Sequence, residues 1–193
     1  MNKIKKLYPP GDFGVWIIIY IELITFGLFF IGFTFSRRAQ IEIFNSSQLL
    51  LDQRFGFVNT ILLLTSSYFI VKATQIIKSI NTKESFQQAS NYIISAIGLG
   101  GVFLIIKIIE FTDKYEQGIN LSTNTFFMFY FILTMFHFMH VVLGMIILFN
   151  LYTNTKNGLY TIKQHRGLES GASYWHMVDL LWIVLFPLIY IIR

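Results

Sequence analysis

Cysteine is absent from this chain of 193 residues, and proline occurs only three times. The lack of cysteine excludes disulfide bonds, thiolate metal sites, iron–sulfur ligation and cysteine nucleophiles. Charged residues are also scarce, at 13% of the sequence, whereas soluble domains carry about a quarter. The composition therefore argues against a soluble globular enzyme, and its hydrophobicity excludes a disordered chain.

The residues that are abundant are apolar and aromatic. Hydrophobic residues make up 54% of the sequence and aromatic residues 18%, with a mean hydropathy of +0.59. The net charge of +5 comes from basic residues in short clusters between apolar runs. That pattern is typical of membrane topology and not of a phosphate-binding face, so we expect no nucleic-acid partner.

Five apolar stretches are long enough to cross a bilayer. A hydrocarbon core about 30 Å thick requires about 20 apolar residues in a helix. The stretches lack the alternation of a membrane barrel, so helices must satisfy their backbone groups. The sequence predicts one all-α membrane domain over residues 1–193 with five transmembrane helices. The predicted spans are 13–35, 55–77, 89–111, 124–151 and 172–192.

The distribution of lysine and arginine predicts the orientation. The side of the N-terminus has nine basic residues: Lys3, Lys5, Lys6, Lys72, Lys78, Lys83, Lys156, Lys163 and Arg166. The other side has five: Arg37, Arg38, Arg54, Lys114 and Arg193. Because cytoplasmic loops carry the excess of basic residues, we expect a cytoplasmic N-terminus and an external C-terminus.

Two features outside the spans have simple structural interpretations. The breaker Pro9-Pro10-Gly11 precedes the first span, and Asp12 can cap its helix. Leu49-Leu50-Leu51, beside Asp52, is typical of a small amphipathic turn at the membrane interface.

Ionisable residues inside the spans need a partner or a function, because each costs several kcal/mol in lipid. A rise of about 1.5 Å per residue places Glu22 near the middle of the first span. In the predicted orientation, His137 and His140 lie late in an inward-running span, and His176 and Asp179 lie early in an outward-running one. All five residues therefore fall in the inner half of the bilayer and could form one buried cluster.

Three interpretations of this cluster remain open. The side chains could hydrogen-bond across helices and fix how the bundle packs. His137, His140 and His176 could instead hold a metal ion or haem iron. Alternatively, Glu22 could influence proton movement in this protein or its neighbour.

Three further residues lie closer to the membrane boundaries. Glu110 lies near the outer end of the third span, one turn after Lys107, and we expect a paired carboxylate that faces the interface. His165 and Arg166 precede the fifth span and are suited to lipid phosphate groups.

Several segments of the chain resemble the haem–copper oxidase subunit III family. They are GVWIIIYIELITFGLFF (Gly14–Phe30), FGFVNTILLLTSSYFIVKA (Phe55–Ala73), KIIEF (Lys107–Phe111), TNTFFMFYFILTMFHFMHVVLGMIIL (Thr123–Leu148) and ESGASYWHMVDLLWIVLFPLIYI (Glu169–Ile191). The resemblance covers nearly the whole chain. Larger members have seven helices, and this chain is similar to a five-helix form that lacks the first two. Its NTFFMFYF, FHFMHV and DLLWIVLFPL runs are most similar to the accessory (activation) protein associated with nitric oxide reductase.

The resemblance also implies roles for individual residues. Glu22 falls at the position of the family's membrane-embedded, carbodiimide-reactive glutamate, and Glu110 at that of a second motif glutamate. The motif histidines and the motif aspartate are matched by His137, His140, His176 and Asp179.

The function that the resemblance implies is that of a non-catalytic subunit. It would carry no haem, copper or other metal and would pack beside the catalytic subunit I of a haem–copper oxidase or nitric oxide reductase. That partner would hold haem and copper or iron. Membrane lipids are the other expected partners, with bound phospholipid possible in a cleft, and the chain would support proton uptake. We expect the inner (plasma) membrane of a bacterium. The alternatives are a self-sufficient membrane metallo- or haem protein and a small transporter.

Overall fold

The computed structural model describes residues 11–79 and 82–192, and within these residues all regular structure is helical. The helices are α1 (Phe13–Ala39), α2 (Ile41–Gln48), α3 (Gln53–Ser79), α4 (Lys83–Glu116), α5 (Thr125–Lys156) and α6 (Arg166–Phe186), which continues as a π-helical turn (Pro187–Ile191). Five of them, all except α2, are long and apolar enough to span a membrane. The predicted all-α multi-pass class is therefore confirmed. Lys3, Lys5, Lys6, Pro9, Pro10 and Arg193 lie outside the described residues.

The helices extend beyond the predicted spans, and α4 does so most clearly. It begins at Lys83 and ends at Glu116, whereas the predicted span covers 89–111. Thr82 and Ser85 form a capping box at its start, with each side chain accepting a hydrogen bond from the other's backbone. Hydropathy marks only the part of a helix that lies in lipid, whereas helical hydrogen bonding continues until a cap ends it. Asp12 caps α1 as predicted, accepting from the backbone N–H of Gly14.

The five long helices form an antiparallel bundle with α6 at its centre. α3 packs on α4 and α6, α4 packs on α5, and α5 packs on α6. α1 lies against α5 and α6 and leaves most of its surface exposed. We call the end of the bundle that holds α2 the α2 end, and the end that holds Asp12, Ser79, Lys156 and Glu169 the Glu169 end.

Close packing at the centre depends on glycine. The indole of Trp175 in α6 lies against Gly100 of α4 and Gly144 of α5. A Cβ atom at Gly144 would stand only 2.8 Å from the Trp175 ring, which is too close for carbon atoms in contact. The close helix approach that we predicted at Gly144 is therefore present.

Aromatic side chains hold α1 to the rest of the bundle. Phe26 packs on Phe136 of α5 with ring centroids 5.2 Å apart, and Phe33 packs on Phe126, Phe129 and Phe44. The opposite side of α1 exposes apolar residues that suit contact with lipid. They include Ile17, Ile21, Ile24, Leu28 and Ile31.

The α2 end differs in detail from the sequence prediction. The amphipathic segment is the helix Ile41–Gln48, and the three leucines form the turn that follows it. Pro187 has no N–H to donate, and there α6 widens into the π-helical turn. Two carbonyl groups of this turn accept hydrogen bonds from glutamine side chains: that of Ile189 from Gln48 and that of Tyr190 from Gln53, each at 2.8 Å.

Candidate functional site

Glu22 of α1 and His140 of α5 form a direct contact in the apolar interior. The Oε2 atom of Glu22 lies 2.9 Å from Nε2 of His140. The Glu22 side chain is 23% exposed and that of His140 only 9%. The Phe26 and Phe136 rings pack edgewise on the imidazole, with centroids 5.5 Å and 4.7 Å from it. The pair is therefore a polar contact that aromatic rings cover on the His140 side and that stays partly exposed at Glu22.

The second nitrogen of His140 fixes how many protons the pair holds. Nδ1 lies 2.7 Å from the backbone oxygen of Phe136, and a carbonyl oxygen can only accept, so Nδ1 must carry a hydrogen. A neutral imidazole then has a lone pair on Nε2, and Glu22 must be the protonated donor. If Glu22 is ionised, Nε2 must be protonated. In either state one proton lies between Oε2 and Nε2, and transfer along the hydrogen bond interconverts the two.

A second group of polar side chains lies where α3 meets α6. The Ser67 hydroxyl contacts Nδ1 of His176 and also lies within reach of the Asp179 carboxylate. One turn further along α6, the Trp182 indole N–H donates to the Thr60 hydroxyl at 3.0 Å. His176, Asp179 and Trp182 thus share one helix face, as predicted, and that face meets α3.

His137 belongs to neither group. It is fully buried, packs on Phe103 with centroids 5.7 Å apart and lies 5.2 Å from the Trp182 ring. Neither ring nitrogen has a hydrogen-bond partner among the described residues. The five residues that could have formed one cluster therefore do not do so. Helix periodicity assigns a residue to a face of its own helix but does not predict which helix lies opposite: His140 pairs with Glu22 of α1, whereas His176 contacts Ser67 of α3.

The positions of the three histidines also test the hypothesis that they bind one metal ion. His140 uses its nitrogens on Glu22 and its own helix, His176 contacts Ser67, and His137 lies among aromatic rings. The three imidazoles do not converge, and the described residues contain no group of three or more histidine, aspartate or glutamate side chains placed to hold an ion.

The family model for cytochrome c oxidase subunit III matches residues 12–193. The chain belongs to this family. The resemblance noted in the sequence is thus confirmed across the bundle, including α1 with Glu22, α5 with His140 and α6 with His176.

Individual relatives agree with the family match. Cytochrome c oxidase subunit 3 of Synechocystis sp. is 33% identical over 136 residues, which cover 70% of this chain and 55% of the relative. The same subunit of Thermostichus vulcanus is 30% identical, covering 70% of this chain and 64% of the relative. A relative named heme-copper oxidase subunit I+III, from Aeropyrum pernix, is 27% identical over 93% of this chain but only 22% of its own length. The chain thus matches about half to two-thirds of the first two subunits.

Glu110 is at the centre of a buried ionic cluster near the α2 end. Its Oε2 accepts from Nζ of Lys107 at 3.0 Å, and Oε1 accepts from the Tyr130 and Tyr190 hydroxyls. Lys107 also donates to the Tyr190 oxygen and lies 4.8 Å from the centre of the Phe111 ring.

The predicted pairing of Glu110 with Lys107 is confirmed, but its predicted exposure to the interface is wrong. Glu110 and Lys107 are each only 1% exposed. The two tyrosines come from α5 and from the π-helical turn, 20 and 80 residues away in sequence. Sequence spacing within α4 carries no information on these partners, and Tyr190 was missed for this reason.

At the Glu169 end, one carboxylate joins three segments of the chain. Glu169 accepts from Lys78 of α3 at 2.6 Å and from the backbone N–H of Gly11 at 3.1 Å. It also lies 3.5 Å from Nε2 of His165. His165, which we expected to meet lipid phosphates, thus has a partner within the chain, whereas Arg166 is exposed at the start of α6.

An apolar groove runs down the bundle from the α2 end. Its volume is about 630 Å³, and it lies between α1, the end of α4 and α5. Phe29, Phe131 and Met135 line its wall, and Thr112 and Asn120 are among its few polar residues. An extended hydrocarbon chain suits a surface of this kind.

The buried cluster predicts a specific pattern of stability. Glu110→Gln leaves the Lys107 ammonium buried without its counter-charge, so we expect a loss of about 3–5 kcal/mol in the free energy of unfolding. Adding Lys107→Met removes the stranded charge and should restore most of this loss. Denaturant unfolding in micelles, followed by circular dichroism, measures both changes.

Glu116→Gln provides the matched control, because this carboxylate is exposed at the end of the same helix. Its effect should stay within about 0.5 kcal/mol. Additive losses in the double variant would contradict the assigned pairing.

Proposed function

We propose that this chain is a non-catalytic subunit III that packs beside the catalytic subunit I of a haem–copper oxidase or nitric oxide reductase. The observation that carries the proposal is the family match over residues 12–193, on a bundle whose buried histidines contact other side chains instead of forming a ligand set. Haem and copper or iron would then belong to the partner. The relative whose name combines subunits I and III in one protein supports this pairing.

The nature of the electron acceptor is the finer part of the proposal. The named relatives are cytochrome c oxidase subunits, which favours an oxygen-reducing partner. The NTFFMFYF, FHFMHV and DLLWIVLFPL runs instead favour the nitric oxide reductase accessory protein. We retain both partners, because the acceptor is bound by the other subunit in either case.

The Glu22–His140 pair supports a role in proton uptake. It holds one proton that can lie on either partner, and Glu22 is the half that stays partly exposed. A carboxyl group of this kind can accept a proton at the protein surface and exchange it with its partner. In our proposal, the pair modulates proton entry to the catalytic subunit and takes no part in redox chemistry.

The location that we propose is the inner membrane of a bacterium, with the N-terminus in the cytoplasm. Nine basic residues against five support this orientation. It puts the Glu169 end at the cytoplasmic face, from which a respiratory complex takes up protons. Reporter fusions that place both termini on one side would contradict it.

The apolar groove between α1 and α5 is the proposed place for a bound phospholipid chain. Its apolar wall lies at membrane depth, and its polar residues lie at the α2 end, where a headgroup would be. Phospholipid that remains with the purified protein after detergent exchange would support this role, and complete delipidation without loss of structure would argue against it.

Purification from native membranes tests the main proposal. An affinity tag on this chain should recover a large second subunit, and the complex should show a haem optical spectrum. The isolated chain should contain no stoichiometric haem, iron or copper. Metal or haem in the isolated chain would support the self-sufficient metalloprotein instead, and ion flux through the isolated chain would support a transporter.

Replacing Glu22 with glutamine tests the proton role. Glu22→Gln should leave the complex assembled, because an amide can still hydrogen-bond to His140. It should abolish labelling of this chain by a hydrophobic carbodiimide at Glu22 and lower sustained turnover severalfold, because the amide cannot exchange a proton.

The control is Glu42→Gln, which removes a carboxylate from the exposed surface of α2. It should match the parent complex in turnover and in carbodiimide labelling. If the Glu22 variant also matches the parent in both assays, the proton role is wrong and the subunit role stands.

A further inference from the structure

One groove on the bundle surface has several polar side chains in its lining. It has a volume of about 230 Å³ and lies between α3 and α6. We call it the α3–α6 groove, and its polar lining consists of Thr74, Gln75, Lys78, Glu169, Ser173 and His176.

The groove reaches from the Glu169 end into the hydrocarbon region. His176 lies ten residues after Arg166, the first residue of α6, which corresponds to about 15 Å along the helix axis. At the same distance from this end, α5 exposes only apolar side chains, such as Ile146 and Phe149. The polar lining therefore belongs to this face and is not general to the bundle.

One hydrogen-bonding atom that faces the groove has no described partner. Nδ1 of His176 contacts Ser67, but Nε2 has no partner among the described residues. Lipid tails offer no hydrogen bonds, so contact with acyl chains would leave this nitrogen unpaired at a cost in free energy.

The contact of His176 with Ser67 defines what the groove can bind. Nδ1 is occupied by the Ser67 hydroxyl, so Nε2 is the ring nitrogen that remains for a molecule in the groove. An imidazole nitrogen donates or accepts a hydrogen bond according to its tautomer. The groove can therefore form a hydrogen bond with a polar side chain.

The charges and shape of the groove favour a protein side chain over a phosphate headgroup. Lys78 is paired with Glu169 at 2.6 Å, so the only cation in the lining is already neutralised. The small residues Ala172 and Ser173 of α6 are part of the lining, and small residues let a neighbouring helix approach closely.

We propose that a transmembrane helix of the catalytic subunit packs in the α3–α6 groove and forms a side-chain hydrogen bond with Nε2 of His176. This inference rests on the proposed function, because it assigns the face through which that partner docks. Polar contacts of this kind join helices in membranes, where no water competes for them.

Site-directed photo-crosslinking tests this assignment, and the absence of cysteine makes it straightforward. Gln75→Cys and Ser173→Cys introduce single thiols in the groove, and Gln75 is exposed, so its variant should fold normally. The matched controls are Ile17→Cys and Phe149→Cys, which lie at corresponding distances from the Glu169 end on exposed apolar faces. Each variant is labelled with benzophenone maleimide, incorporated into the purified complex and illuminated.

We expect covalent adducts with the catalytic subunit from the two groove positions and mainly lipid or detergent adducts from the two controls. Equal cross-linking from the controls, or lipid adducts alone from the groove in an intact complex, would overturn the docking face and leave the proposed function standing. Failure to recover any large subunit would overturn both.

Discussion

The interior of a bilayer offers no water, and the arrangement of this bundle follows from where each polar side chain finds a partner instead. Lys107 and Glu110 are almost completely buried and neutralise one another. Glu22 and His140 pair across α1 and α5. Three polar contacts join α3 to α6: Lys78 with Glu169, Ser67 with His176, and Thr60 with Trp182. The pair within α4 balances a buried charge. The other pairings join different helices and so help to fix which helices are neighbours.

The same constraint separates structure from function within the site. Around Glu110, all three donors belong to this chain and are buried, which is what a structural cluster requires. The Glu22–His140 pair is more open, because one partner contacts the surface. The His176 imidazole is more open again, since one of its nitrogens has no partner in the part of the chain that the structure describes. The proposed roles follow the same order: the buried Glu110 cluster stabilises the packing, the Glu22–His140 pair exchanges a proton, and His176 binds the partner subunit.

The sequence predicts the fold class and most helix faces, because both depend on local spacing. The length of each apolar run identifies five spans, and the 3.6-residue period correctly places His137 and His140 on the buried face of α5. It cannot predict which helix lies opposite. Glu110 therefore has two tyrosine partners that its own span does not indicate, and the residues that could have formed one cluster divide between separate helix contacts. Ser67 lies in the longest run of polar residues inside its span, Thr65-Ser66-Ser67, and this signal could have indicated a contact with another helix.

The central claim is that Glu22 and His140 share one proton inside the membrane, and nitrogen NMR of the protein in bilayers tests it most directly. The chain has four histidines, and comparison with a His140→Gln variant assigns the resonances of His140. The account predicts that Nδ1 of His140 carries a hydrogen at every pH at which the fold is intact, with Nε2 coupled to Glu22. An Nδ1 resonance typical of an unprotonated nitrogen would contradict it.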